Sequence, residues 1–128
     1  MIKTVKTDKS PKAIGPYSQA VLINNFLFVS GQIPLDPKTM NVIDGNFEKQ
    51  VSQCLNNIKG ILSERNIDLN NIVKLTVFLT DISNFSIVND VFEDFFNDNY
   101  YPARSLVEVS KLPKNSNIEI EAICCCEK

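Results

Sequence analysis

The chain has no histidine among its 128 residues. The side chain that most often titrates near neutral pH is therefore missing. Ser-His-Asp and Cys-His machinery is excluded, and any proton transfer falls to Asp, Glu, Tyr, Lys, Cys or water. There is no basic run or stripe; 13 basic and 15 acidic residues give a net charge of −2, so the electrostatic footprint of a nucleic-acid binder is absent. No apolar run is long enough to span a membrane. The N-terminal stretch "MIKTVKTDKSPKAIGPYS" has neither an apolar signal core nor an Arg-rich amphipathic pattern. Internal repeats, low-complexity tracts and linkers are also lacking. These absences lead to the expectation of one soluble, cytoplasmic domain over residues 1–128.

The cysteines are Cys54, Cys124, Cys125 and Cys126. Three adjacent ones do not resemble a disulfide framework. On a strand, Cys124 and Cys126 share one face and Cys125 points to the other. That suits a tetrahedral metal poorly, and no histidine could complete the shell. They read as small buried hydrophobes in a reducing compartment. No metal and no cofactor is expected.

What is present is strand-like and helical patterning in alternation. A short strand is expected at 2–6, then an ordered loop "SPKAIGPYSQ" punctuated by Pro11, Gly15 and Pro16. Two strands at 19–23 and 26–30 flank an "NN" turn, and "LDPKTMNVIDGN" is loop. Phe47, Val51, Cys54, Leu55, Ile58, Ile61 and Leu62 recur at helical spacing and predict a helix over 46–65, with Gln50, Gln53, Asn57 and Glu64 off that stripe. "IVKLTVFLT" predicts a strand over 72–80. "SNFSIVNDVFEDFFND", 83–98, predicts a second helix capped by Ser83 or Asn84, with Phe85, Val88, Phe92, Phe95 and Phe96 as its apolar stripe and Asn89 on the flank. Strands at 104–109 and 118–126 finish the chain across the connector "SKLPKNSN". The order β-β-β-α-β-α-β-β predicts an α+β two-layer fold, a mixed sheet with two helices on one face. The other face must be solvated or packed on a partner. "IEIEAICCC" and "ARSLVEV" are too apolar for a fully wet face, so an oligomer is expected.

Two of these strands carry charge. Arg104 fits either a surface salt bridge, to Glu108 or Glu121, or a two-pronged clamp for a carboxylate or phosphate. Glu119 and Glu121 share one face of their strand, opposite Ile118, Ile120 and Ala122. The pattern favours a plain charged face in water; the alternative makes one of them a base or water-positioning group. Asn89 is either satisfied by backbone or aimed into a pocket. Ser30-Gly31 ends the strand "FLFVSG", where a glycine permits close approach to the backbone or simply makes a turn. Tyr17 fits a loop anchor or a ligand contact.

Taken together, "AIGPYSQAV" at 13–21, "FVSGQIPLDPKT" at 28–39, "VFLTDISNFSIVNDVFEDFF" at 77–96 and "PARSLVEVSKLPKNSNIEIEAI" at 102–123 resemble the Rid family of reactive intermediate deaminases, also called the YjgF family, and within it the RidA subgroup. The resemblance runs from about residue 2 to the C-terminus. It implies a chorismate-mutase-like fold, a homotrimer with clefts between subunits, and cofactor-independent hydrolysis of 2-imino acids and their enamine tautomers, notably 2-iminobutanoate and 2-iminopropanoate, to 2-oxo acids and ammonia. Residue by residue, it implies that Arg104 holds the substrate carboxylate and Glu119 attends the attacking water. Tyr17, Ser30 and Asn89 match pocket residues, Gly31 contributes backbone, and Glu121 matches no site residue. Many RidA proteins have a cysteine where this chain has Leu106. Thiol-based regulation at that position is thus excluded, while a backbone contact to ligand there is not. A non-catalytic ligand-binding trimer, or an activity of the translation-inhibitor or endoribonuclease type, is the alternative; the missing basic stripe counts against the latter.

Overall fold

Alternation of buried and open positions decides the strands. The computed structural model describes residues 1–96 and 100–127. Its elements are β1 (Lys3–Val5), β2 (Ala20–Ile23), β3 (Phe26–Gln32), α1 (Phe47–Ser63), β4 (Ile72–Leu79), α2 (Phe85–Phe96), β5 (Ala103–Glu108) and β6 (Ile118–Cys125), with short 3-10 turns between some of them. The expected element order is the observed one. Residues 97 and 98, included in the expected second helix, lie outside the described residues.

The six strands form one sheet in the order β1-β2-β3-β6-β4-β5. Only β4 and β5 run parallel, joined through α2; the other pairs are antiparallel. A parallel pair needs such a crossover, whereas β2 and β3 need only a tight turn. Asn24 makes that turn at φ 51°. The C-terminal strand β6 slots between β3 and β4, so the strand bearing Glu119 sits mid-sheet and the strand bearing Arg104 lies at an edge.

Both helices lie on one face. Leu27, Val29, Leu75, Val77, Leu79, Ile118, Ile120, Ala122 and Cys124 point toward them and are buried with Val51, Leu55, Ile58, Ile61, Leu62, Val88 and Phe92. Full burial of each such Leu or Ile contributes roughly 1.5–3 kcal/mol. The opposite face carries Phe26, Phe28, Phe78, Val107 and Ile123 beside Glu119 and Glu121. Phe26 and Phe28 are each 45% exposed and Val107 is 43% exposed, so this face is apolar yet uncovered by the chain itself.

Four local readings change. Asn57, expected off the stripe of α1, is 1% exposed. Its Nδ2 donates to the carbonyls of Leu35 (3.0 Å) and Ile33 (3.3 Å), and its Oδ1 accepts from Gln53 (2.8 Å). A buried polar side chain with all these partners is as well accommodated as an apolar one. On α2, Val91 is buried while Phe85 is 50% exposed; the buried side of the helix runs through Val88, Val91, Phe92 and Phe96. The cap comes from neither Ser83 nor Asn84. Asp81 caps the 3-10 turn Ile82–Asn84 that runs into α2, accepting from Ser83 N (3.0 Å) and Ser83 Oγ (2.7 Å). Those two hydrogen bonds hold its carboxyl below the usual aspartate value. Finally, β3 does not end at Ser30-Gly31. It continues to Gln32 through a bulge: Val29 pairs with Ala122 but Gln32 pairs with Ile120.

Candidate active site

The bulge is where the first half of the site is built. A bulge re-aims side chains and loosens the ladder locally. Here it faces Glu119 of β6. A Cβ placed on Gly31 would stand 2.8 Å from Glu119 Cδ and 3.0 Å from its Cγ, so the carboxylate lies over the bare glycine. Glu119, Gly31, Tyr17, Lys12, Ile14, Ile33 and Pro113 line a cavity of about 140 Å³. Burial first, and the neighbouring Glu121 second, push the Glu119 carboxyl up from its ordinary value. Desolvation disfavours the charged form, and a like charge adds to it.

The loop that carries Tyr17 is fastened to the fold at several points. Buried Gln19 donates to the carbonyls of Pro11 (2.8 Å) and Thr7 (3.1 Å) and accepts from Thr7 N (2.8 Å). Ser10 Oγ donates to the carbonyl of Asn57, and α1 has Gly60 where the backbone of Lys9 crosses it, with no space for a Cβ. Ser30 Oγ donates to the carbonyl of Ser18 (2.6 Å), and Ser30 N donates to that of Gln19 (3.0 Å). Ser30 thus ties the bulge to the loop. Tyr17 itself is half exposed, its hydroxyl accepting a long hydrogen bond from Ile14 N (3.4 Å).

The second half lies at the sheet edge. Arg104 of β5 pairs with Leu75 of β4 and shares the helix side of the sheet. Its Nη1 donates to Asn89 Oδ1 (2.8 Å), and its guanidinium lies 5.4 Å from the Phe92 ring centroid. Asn89 and Phe92 are three apart on α2, hence neighbours on one helix face. A cation held over an aromatic face in this range is attracted by the ring quadrupole. Asn89, Phe92, Glu93, Tyr101, Pro102 and Arg104 line an open groove. The salt bridges considered for Arg104 are not its contacts. Glu108 accepts from Ile82 N (2.9 Å), and Glu121 is on the other face, paired with Thr76. Leu106 packs against the hydrophobic core.

The two halves do not meet within one chain. Arg104 registers with Leu75, and Leu75 with Ala122, three residues from Glu119. That is about 10 Å across the sheet and about 10 Å along it, with the two side chains on opposite faces. Sequence reasoning missed Gln19 and Asn57, which hold the cavity walls, and Phe92 as the platform under Arg104. The one available signal was Phe92 at three residues from Asn89. Among the described residues no cluster of three or more Cys, Asp or Glu could hold a metal ion, and no helix is long and apolar enough to cross a membrane. Burial pushes the Cys124 thiol up to about 12, which makes it an inert packing group.

A family model described as endoribonuclease L-PSP matches residues 7–126. A RutC family protein of Buchnera aphidicola is 52% identical over 125 residues, 96% of each chain. The crystal structure of YyfA, a Rid family protein of unknown function from Yersinia pestis, superposes with a TM-score of 0.94 at 45% identity, covering 98% of this chain and 99% of that one. Escherichia coli TdcF, solved with bound serine, superposes with a TM-score of 0.91 at 40% identity, covering 96% of this chain and 98% of that one. The bulge, the two half-sites and the sheet order thus stand in a chain that belongs to the Rid/YjgF family.

Proposed function

We propose that the protein hydrolyses 2-imino acids, with 2-iminobutanoate and 2-iminopropanoate as substrates, to 2-oxo acids and ammonia, at clefts between the subunits of a homotrimer. The observation that carries this reading is Glu119: a half-buried carboxylate with a raised pKa, set in a cavity with Tyr17 and Gly31. A perturbed acid in a concave site is the signature of a group with a chemical task. Serine bound to TdcF supports a ligand that is small and carries a carboxylate.

The apolar open face supports assembly. An uncovered surface bearing Phe26, Phe28 and Val107 is stable in water when copies bury it against one another. Assembly would also join what one chain keeps apart, Arg104 of one subunit with Glu119 of the next. In that cleft Arg104 grips the substrate carboxylate through its two-pronged donor. Tyr17, Ser30, Gly31 and Asn89 shape the pocket, and the backbone at Leu106 contacts the ligand. A protonated imine carbon is already electrophilic. Glu119 takes a proton from water as the water oxygen bonds to that carbon, giving a carbinolamine. Proton transfer to the nitrogen then expels ammonia and leaves the 2-oxo acid. The net acidic charge counts against an RNA substrate, despite the family's description.

The test generates 2-iminobutanoate in situ with a threonine dehydratase and traps it with semicarbazide. Wild type is expected to suppress semicarbazone formation and speed release of 2-oxobutanoate, and Glu119→Ala and Arg104→Ala are not. A folded wild-type trimer that leaves the semicarbazone yield unchanged would overturn catalysis in favour of a ligand-binding role for the same cleft.

A further inference from the structure

Glycine is needed at a position either because the backbone enters the left-handed region or because no side chain fits. Gly45, at φ +124°, is of the first kind. Gly31 is not: its φ is not positive, so any L-residue could adopt its backbone. What excludes a side chain there is Glu119, whose Cδ and Cγ lie 2.8 and 3.0 Å from the place a Cβ would take, with Oε2 closer still. The atoms met are the far end of a flexible side chain and not backbone, so an added Cβ is accommodated by moving the carboxylate and not the strand. The bulge between Val29 and Gln32 sets this residue opposite β6 out of the regular ladder, and the strand partner on the other side of Glu119 is the bulky Phe78.

From this geometry we infer that Gly31 is a positioning residue for Glu119: its bare Cα is the seat on which the carboxylate rests, aimed into the cavity it shares with Tyr17. The consequence for turnover rests on the deaminase reading; the contact itself does not. Any side chain at position 31 drives the carboxylate off its seat, so the base is misplaced while the substrate clamp on β5 is untouched.

Two cycles test it. The first reads thermal stability. Gly31→Ala is expected to lower Tm on the order of 5 °C in the wild-type background. In the Glu119→Ala background, where the colliding carboxylate is gone, it is expected to lower Tm little or not at all. Equal losses in both backgrounds would show that Glu119 is not what excludes a side chain. The second reads turnover. Gly31→Ala is expected to lower kcat on the order of a hundredfold with KM little changed. Glu119→Asp withdraws the carboxylate by one methylene, so Gly31→Ala is expected to cost little further kcat when added to Glu119→Asp. Losses that multiply would overturn the inference and assign Gly31 an independent role. A wild type without turnover sinks the deaminase reading, while the stability cycle still decides the contact. A Gly31→Ala chain that fails to fold alone but folds with Glu119→Ala supports it.

Discussion

Arg104 and Glu119 occupy one sheet under contrasting conditions. Arg104 stands on the edge strand β5, exposed, its head held from the side by Asn89 and Phe92 of α2. Glu119 stands on β6 in mid-sheet, half-buried over Gly31, with its carboxyl raised. A clamp works by charge and fork geometry, both of which survive contact with water. A base must bind its proton near working pH, and removal from water is what raises a carboxyl toward that range. Under the proposed mechanism, the edge of a sheet suits the first task and its interior the second.

The comparison breaks first at Glu119. Glu119→Gln keeps the shape and removes the proposed base, so on the deaminase reading kcat is expected to fall by about 10²–10³, while a carboxylate-bearing product still binds; loss of binding with kcat retained would reverse the two proposed roles. At Arg104 the effect is smaller and sits in affinity. Arg104→Lys keeps the charge but loses the fork, and is expected to weaken carboxylate binding by about 2 kcal/mol, roughly thirtyfold; near-wild-type KM there would count against a bidentate grip. Asn57→Ala strips the hydrogen bonds that hold the Ile33 and Leu35 carbonyls. It is expected to destabilise the protein by about 1–3 kcal/mol, read in a denaturant titration, with the cavity around Glu119 affected and the Arg104 groove spared.

The smallest effect is on stability against pH. A carboxyl whose folded value is raised holds its proton more tightly in the folded chain than in the unfolded one, so its charge costs stability. Between the ordinary carboxylate range and the raised value of Glu119, stability falls as pH rises. Glu119→Gln is therefore expected to melt at a higher temperature than wild type at neutral pH, and the gain is expected to vanish below about pH 4. A gain that persists in acid would assign it to packing rather than charge.

The difference between the halves also marks what could be read beforehand. Arg104 and Asn89 sit on a regular strand and a regular helix, where spacing tells which face a residue takes. Phe92 could be placed near Asn89 for that reason. The Glu119 half depends on a bulge between Val29 and Gln32, and one extra residue in a strand shifts everything after it to the other face. No period reports such an insertion. Glu121 and Glu119 are indistinguishable by alternation; in the sequence the family resemblance alone set them apart, and in the structure the cavity and the glycine beneath Glu119 do so. Asn57 and Gln19 look like surface residues by type. Their burial depends on carbonyls 8 to 24 residues away in the chain.

Element order, the two helices, the mixed α+β layering and the apolar character of the uncovered face were all legible in the amino-acid pattern. These follow from periods of two and 3.6 residues and from side-chain type, which are local properties. Folding in three dimensions was needed to put β6 between β3 and β4, to rest Glu119 over Gly31, and to turn Arg104 and Glu119 to opposite sides of one sheet. Those outcomes depend on strand order and register, which are set by long-range pairing that no local pattern encodes.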